Sequence, residues 1–100
     1  MFKYIDDNYA EHITLEDLAQ LTFVSYNYAS KLFKKVAGRS FLDYLNYVRI
    51  EKAKLLCKDL QYKDYEISQL VGISNAYYFS KLFKKYAGVT VTEYRKSIAN

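Results

Sequence analysis

The chain has 100 residues, a formal net charge of +4, one cysteine, one histidine and no proline. A chain of this length hides about two thirds of the surface that its unfolded form exposes, so a hydrophobic core can hold it without disulfides. Cys57 has no second cysteine, and His12 has no neighbour at metal-ligand spacing, so no metal or other cofactor is expected. No uninterrupted apolar run is long enough to cross a bilayer, and a soluble, cytoplasmic protein without membrane contact is expected.

Charge alternates along the chain. Residues 1–24 contain one lysine and five acidic residues, a net charge of −4, whereas residues 25–58 contain eight basic and two acidic residues, a net charge of +6. The alternation repeats as −2 over 59–80 and +4 over 81–100. Clustered positive charge indicates a surface that faces a polyanion, although basic residues on a solvated helix face give the same pattern.

Apolar residues spaced three and four apart, with no proline, predict an all-α domain. Phe2 to about Tyr9 is predicted as a short helix. Thr14 is followed three residues later by Asp17, a capping-box pattern that predicts the start of a second helix.

After a break at 23–25, Ser25 is predicted to cap a third helix. Four of its apolar residues fall at core spacing, namely Ala29, Leu32, Phe33 and Val36. The opposite face is polar and basic, and consists of Asn27, Ser30, Lys31 and Lys34. One face therefore serves the core and the other is presented to a partner.

The segment from Ser30 to Lys35 recurs letter for letter from Ser80 to Lys85. Gly38 is predicted to end the third helix in a left-handed conformation, and Ser40 to cap a long helix that runs to about Lys58. Polar residues 59–64 are predicted to form a short turn, which is the one plausible linker in the sequence. Cys57, beside the apolar stripe of the long helix, is interpreted as a packing residue.

The second half repeats the first. Ser74 is predicted to cap the second basic helix, and a capping box of Thr90 and Glu93 to start a short final helix. The predicted core residues of the second basic helix are Phe79, Leu82, Phe83 and Tyr86, and its presented residues are Tyr77, Ser80, Lys81 and Lys84. We interpret the chain as a duplicated structural unit.

Two helices joined by a three-residue turn, with a basic face on the second, are typical of a helix-turn-helix unit that places its second helix in the DNA major groove. Asparagine, serine and lysine are suited to pair with base edges there. The predicted base-reading residues are Asn27, Ser30 and Lys31 in the first unit, and Asn75, Ala76, Tyr77, Ser80 and Lys81 in the second. Ala76 is suited to contact a thymine methyl group.

Helix amino ends direct backbone amides at phosphates, which makes four capping positions candidate anchors: Ser25, Ser40, Ser74 and Thr90. Six basic side chains are predicted to add ionic contacts: Lys34, Lys35, Arg39, Arg49, Lys84 and Lys85. If about six phosphates are neutralised, the logarithm of the binding constant falls with the logarithm of salt concentration at a slope of roughly −5.

Other function classes fit the sequence less well than double-stranded DNA binding. Eighteen aromatic residues suggest a stacking platform for single strands, but most of them fall at core spacing. A basic amphipathic helix can lie on an acidic membrane, but the apolar faces here are matched by partner helices. No glycine-rich phosphate loop or cluster of catalytic groups indicates an enzyme. The main alternative is a helical protein-interaction module with a basic partner-binding face.

The whole chain resembles the DNA-binding domain of AraC/XylS-type bacterial transcription regulators. The motifs that carry the resemblance are residues 13–19, 30–35, 71–74 and 78–85, Tyr44 with Leu45, Arg49, Ala53 and Ile67, and Gly88 leading to 93–95. The resemblance implies seven helices in one domain, 1–100, with helix-turn-helix units at about 14–36 and 64–86 joined by a linker helix at about 41–58. It also implies two recognition helices in successive major-groove segments, about 34 Å apart.

Carried over by position, the resemblance adds Tyr26 to the base-reading residues. Three residues depart from the family pattern: Phe23 stands where a glycine is frequent, Ser68 where alanine is usual and Val91 where a proline is common. The resemblance further implies RNA polymerase as a partner of a full-length regulator that can be dimeric, with the isolated domain monomeric. We expect an excised C-terminal domain of a longer protein, with a stand-alone regulator as the alternative.

Overall fold

The computed structural model describes residues 1–99, so Asn100, the last residue of the predicted domain, lies outside it. Over this range the chain is all-α, as predicted, with seven helices and no strand. They are α1 (Phe2–Asn8), α2 (Leu15–Leu21), α3 (Tyr26–Ala37), α4 (Phe41–Leu56), α5 (Asp64–Leu70), α6 (Ala76–Ala87) and α7 (Val91–Ile98). None of these helices is long and apolar enough to span a membrane, in the range described.

The chain divides into two compact units, and the division falls inside α4. The first unit is Met1–Val48, and the second begins at Arg49. The polar turn at 59–64, which the sequence suggested as a linker, lies inside the second unit. The long helix ends at Leu56, two residues before the predicted Lys58.

The core of the first unit forms around Phe33 of α3, which is 1% exposed. Its ring lies 5.0 Å from that of Phe2, 5.7 Å from that of Phe41 and 5.5 Å from that of Tyr44, measured between ring centroids. Ile5 of α1 and three residues of α2, Leu15, Leu18 and Ala19, complete this cluster. Because α1, α3 and α4 all contribute rings to one contact, burial of Phe33 fixes the orientation of α3.

The starts of α2 and α3 are capped as predicted. The Thr14 hydroxyl accepts a hydrogen bond from the Asp17 amide at 3.1 Å, and the Asp17 carboxylate accepts one from the Thr14 amide at 3.0 Å. The Ser25 hydroxyl accepts from the Tyr28 amide at 3.1 Å. These bonds satisfy amides that have no partner within the helix, so the turn between α2 and α3 ends at a defined residue.

The predicted core position of Val36 is wrong, because this side chain is 61% exposed. The buried row of α3 instead follows a four-residue spacing through Ala29 and Phe33 to Ala37, which packs against the core. Leu32, another predicted core residue, is half-buried.

The second unit has its own aromatic core. Phe79 and Phe83 of α6 are buried with ring centroids 6.0 Å apart, and the Phe83 ring lies 5.6 Å from that of Tyr94 in α7. Leu82 is buried and Tyr86 half-buried, so this predicted core stripe is confirmed. The same Leu-Phe pair thus packs inward in both copies, more deeply in the second.

The predicted cap of α6 is wrong by one residue. Asn75, rather than Ser74, accepts the hydrogen bond from the Tyr78 amide, at 2.9 Å to Oδ1. The turn before α6 is one residue longer than the turn before α3, because Gly72 corresponds to Phe23 at a separation of 49 whereas the identical hexapeptides are separated by 50. Ser74 is the extra residue, and Asn75 occupies the position of Ser25.

The two turns use the same left-handed backbone with different residues. Gly72 has φ of 90°, and Phe23 has φ of 58° and is the sole non-glycine residue with positive φ among residues 1–99. The left-handed region costs about 1 kcal/mol or more for a residue with a Cβ atom, and glycine adopts it freely. The departure noted in the sequence at Phe23 therefore keeps the turn geometry but introduces backbone strain.

The departure at Ser68 has a structural role. Its side chain is fully buried, and its hydroxyl donates to the carbonyl of Ile73 in the turn between α5 and α6. The Ile73 amide in turn donates to the Ser68 carbonyl at 2.9 Å. Both hydrogen bonds tie the end of the turn back to α5.

Ser68→Ala is expected to lower the free energy of unfolding by about 1–2 kcal/mol, because it leaves the buried Ile73 carbonyl without this donor. Chemical denaturation monitored by circular dichroism measures the change. Ser97→Ala, which removes an exposed hydroxyl that donates to the Tyr94 carbonyl, is the matched control with a change below about 0.5 kcal/mol. Equal stability of both variants would contradict a structural role for the Ser68 hydroxyl.

Arg95 of α7 contacts both the loop that follows α4 and the start of α5. Its Nη2 donates to the Tyr62 carbonyl at 2.7 Å, and its Nη1 lies 3.6 Å from Oδ1 of Asp64. Cys57 is buried, and this burial raises the pKa of its thiol, although the neighbouring Arg95 acts in the opposite direction. The interpretation of Cys57 as a packing residue agrees with this burial.

Candidate nucleic-acid interface

The outer face of α3 carries the predicted base-reading residues of the first unit. Tyr26, Asn27 and Lys31 are exposed, and Ser30 is half-buried. Asn27 makes no side-chain hydrogen bond within the described part of the chain, so both edges of its amide are available to a ligand. This face points away from the ring cluster of Phe33, since the two sets alternate along one helix.

A groove of about 420 Å³ lies beside α3 in the first unit. Predicted site residues that line it are Tyr26, Ser30, Lys34 and Ser40. The Ser40 hydroxyl accepts from the Asp43 amide at 3.2 Å, which confirms it as the cap of α4. The groove therefore joins the polar face of α3 to a helix amino end and a lysine.

The outer face of α6 is ordered by contacts among its own side chains. The Lys81 ammonium lies 4.7 Å from the centroid of the Tyr77 ring, which is 71% exposed. The Ser80 hydroxyl donates to the Ala76 carbonyl at 3.1 Å, which leaves its oxygen able to accept. Asn75 uses Oδ1 for the helix cap, so in this conformation its Nδ2 group is the part free to contact a base edge.

The second unit has a corresponding groove of about 600 Å³ beside α6. Predicted site residues that line it are Tyr77, Ser80, Lys81, Lys84, Lys85 and Thr90. Ser80, Lys84 and Thr90 follow Ser30, Lys34 and Ser40 by 50 residues each. The duplication thus reproduces a site as well as a fold.

The amino end of α7 carries the capping box predicted from Thr90 and Glu93. The Thr90 hydroxyl accepts from the Glu93 amide at 3.1 Å, and the Glu93 carboxylate accepts from the Thr90 amide at 3.0 Å. Hydrogen bonds from the Thr90 backbone and side chain hold the pKa of the Glu93 carboxyl below its usual value. This carboxylate reduces the positive potential at the amino end of α7, so the lysines of the groove supply most of its attraction for anions.

The two predicted arginines are less open to solvent than the lysines. The Arg39 Nε atom lies 3.7 Å from Oδ2 of Asp43, and its guanidinium carbon lies 4.8 Å from the Tyr47 ring centroid. Arg49 is half-buried, and loss of water around it lowers the pKa of its guanidinium, with Tyr78 acting in the opposite direction. Both remain within reach of solvent, so each keeps a charge near the surface.

The remaining predicted residues line neither groove. They are Ser25, Asn27, Lys31, Lys35, Arg39, Arg49, Ser74, Asn75 and Ala76. Ser25, Ser74 and Asn75 belong to the turns before the basic helices, where the hydroxyl of Ser25 and the amide oxygen of Asn75 serve as caps. Lys31 and Lys35 are exposed on α3 outside its groove.

Several residues that line the grooves were not predicted as site residues, among them Glu16 in the first unit. His12, whose side chain is exposed, also lines the groove of the first unit, and Asp64 lines that of the second. No spacing pattern links either residue to a basic helix, because both reach the groove from the start of the preceding helix. No group of metal ligands occurs among the residues described.

A family model described as a helix-turn-helix domain matches residues 18–97. Among curated proteins, the chain is 40% identical over 93 residues to the HTH-type transcriptional regulator YijO of Escherichia coli strain K12. The match covers 93% of this chain and 33% of YijO. The chain therefore spans about a third of the length of this relative.

Solved structures give the same fold at similar length. The C-terminal domain of the two-component response regulator yesN from Fusobacterium nucleatum is 40% identical, with a TM-score of 0.86 and coverage of 94% of this chain and 92% of that one. A probable AraC family regulator from Rhodopseudomonas palustris CGA009 is 26% identical, with a TM-score of 0.84 and coverage of 95% and 90%.

Proposed function

Since this chain belongs to the AraC-type family of helix-turn-helix transcription regulators, we propose that it binds specific sequences in double-stranded DNA through α3 and α6. Each helix enters one major-groove segment and reads base edges with its outer face. The proposed function involves no chemical step. We prefer DNA binding to the alternative function, that of a helical protein-interaction module with a basic partner-binding face.

The observation that carries this proposal is the shared arrangement of the two grooves. Each groove is lined by a serine and a lysine of the recognition helix and by the capping residue of the next helix. In the first unit these residues are Ser30, Lys34 and Ser40. Amides at a helix amino end and a nearby ammonium group are suited to hold a phosphate while the adjacent helix face meets the bases.

The proposed base-reading set differs between the units at the starts of the two helices. Tyr26 and Asn27 of α3 correspond to Ala76 and Tyr77 of α6. An asparagine with both amide edges available pairs well with adenine, whereas alanine favours contact with a thymine methyl group. Ser30 and Lys31 recur in α6 as Ser80 and Lys81, so they do not distinguish the two units. The residues at the helix starts therefore make the two units prefer different DNA half-sites.

In a longer regulator, the remaining partners are also proposals. We propose that the isolated domain is monomeric and that a full-length protein, dimeric or not, places this domain on DNA near RNA polymerase. The chain spans only 33% of YijO, which leaves room in such a relative for a further domain.

A selection of duplexes from a random DNA pool, repeated at two salt concentrations, tests the proposal. We expect an enriched motif with two conserved segments and an affinity that falls steeply with salt. For about six neutralised phosphates the logarithmic slope is roughly −5. Single strands of the enriched sequence serve as the control and should bind more weakly.

Absence of an enriched motif, together with an affinity independent of salt, would rule out this function. Equal affinity for the duplex and its separated strands would instead favour binding by stacking on exposed tyrosines.

A further inference from the structure

Phe23, in the turn between α2 and α3, is 96% exposed. It also has a φ of 58°, a conformation that disfavours any residue with a Cβ atom. Its side chain therefore contributes almost no burial to the fold, while its backbone costs stability. A strained residue whose side chain does nothing for folding points to a role in binding.

Phe23 continues a surface formed by the outer side of α2, which we call the α2 face: Glu16, Asp17, Gln20, Leu21 and Phe23. Leu21 is 55% exposed, so the α2 face presents two large apolar side chains. Depressions lie on both sides of Gln20, one shared with Glu16 and Tyr26 and the other with Asp17 and Leu21. This shape and apolar content suit an amphipathic helix from another protein.

The charge of this region defines the chemistry of the partner. The α2 face carries two exposed acidic residues, Glu16 and Asp17, and no basic residue. DNA would be repelled by such a surface, and a segment rich in lysine or arginine would be attracted. The α2 face is thus opposite in character to the basic faces of α3 and α6.

The second unit shows what the same turn looks like without these features. Gln69 and Leu70 match Gln20 and Leu21 at a separation of 49, but Gly72 replaces the phenylalanine and Tyr65 replaces Glu16. The corresponding face of α5 keeps an acidic residue, Glu66, and an exposed aromatic side chain, Tyr65, so only the exposed phenylalanine in the turn belongs to the first unit alone. The helix-turn-helix geometry therefore does not require Phe23.

We infer that the α2 face is a docking site for a basic amphipathic helix of a partner protein, with Phe23 as its apolar anchor. None of the five residues of the α2 face belongs to the proposed DNA-binding set, although Glu16 also lines the groove of the first unit. The anchor, Phe23, lines neither groove. Strain at Phe23 is retained because the bound helix covers its ring.

Phe23→Gly tests this inference in the full chain, because Gly72 shows that glycine fits the turn. The variant is expected to melt about 2–5 °C higher as backbone strain is released. It should also lose affinity for a partner helix by about tenfold or more, since the anchor is removed. A residue with a purely structural role would lower the melting temperature instead.

The probe is a synthetic helical peptide of about 18 residues with one leucine face and one lysine face. Amide chemical shifts of the labelled protein should change along 15–24, and the peptide with glutamate in place of lysine should leave them unchanged. Leu70→Ala, in the second unit, is the matched control and should bind the peptide normally. Affinity for the selected DNA should be the same for wild type and Phe23→Gly.

Peptide-induced shifts confined to α3 and α6, or no shifts at all, would overturn the inference. So would concentration-dependent dimerisation that Phe23→Gly abolishes, because the occupant would then be a second copy of this chain. Loss of DNA affinity in Phe23→Gly would also overturn it, by placing Phe23 in the DNA interface. The peptide-binding and dimerisation outcomes do not depend on whether the DNA selection succeeds.

Discussion

Phe33→Ala is expected to lower the free energy of unfolding by about 3–5 kcal/mol, the largest stability change among the substitutions considered. The removed ring contacts Phe2, Phe41 and Tyr44, so alanine leaves a cavity bounded by three other aromatic side chains. A domain of this size is stable by about 5–15 kcal/mol, so the substitution removes a large fraction of the free energy of unfolding. Urea denaturation followed by circular dichroism measures the loss.

Tyr28→Ala is the matched control for this substitution. It removes an aromatic ring from the same helix, but that ring is 56% exposed. We expect a change below about 0.5 kcal/mol, with no loss of helix content. If the two variants were equally stable, Phe33 would not be the residue that orients α3, and the position of the polar face would need another explanation.

Lys31→Ala is expected to cost about 1–3 kcal/mol in affinity for the preferred DNA, concentrated at one base pair read by the first unit. The ammonium group of Lys31 lies on the exposed face of α3, beside Asn27 and away from the groove that holds Lys34. Competition binding with duplexes that vary one base pair at a time measures the effect. The discriminated base pair should lose its preference while the others keep theirs.

Lys35→Ala is the comparison within the same hexapeptide. This lysine is exposed in the last turn of α3, and we expect it to contact the DNA backbone. Its removal should weaken all duplexes alike and reduce the magnitude of the salt slope by about 1. If both variants lost equal affinity on specific and random DNA, the division between base-reading and backbone lysines would be wrong.

Much of this fold is visible in the sequence because its signals are local. Capping residues such as Thr14 and Ser25 and the left-handed Gly38, with φ of 74°, mark helix ends through interactions with near neighbours. The repeated hexapeptide provides a second, independent check on each predicted helix face. Agreement between the core stripes of the two copies makes Phe33 and Phe83 predictable as core residues.

The features that the sequence did not reveal depend on where neighbouring helices end. Val36 has the right spacing for burial, but the buried row of α3 runs to Ala37 instead. The cap of α6 lies at Asn75 because one extra residue in the turn shifts the register between the two copies. His12 joins a groove through tertiary packing, for which no periodic pattern exists.

The division of the chain within α4 limits where the protein can be cut into independently folding fragments. A fragment begun in the polar loop at 59–64 would omit Ile50, Ala53 and Cys57, which are all buried and belong to the second unit. A fragment that contains α6 but not α3 must begin no later than Arg49 if it is to keep the whole second unit. A fragment that contains α3 but not α6 must extend at least to Val48. The loop at 59–64 is therefore a poor place for a protease site or an inserted tag. The limits of the smallest fragment that folds independently lie in the middle of α4.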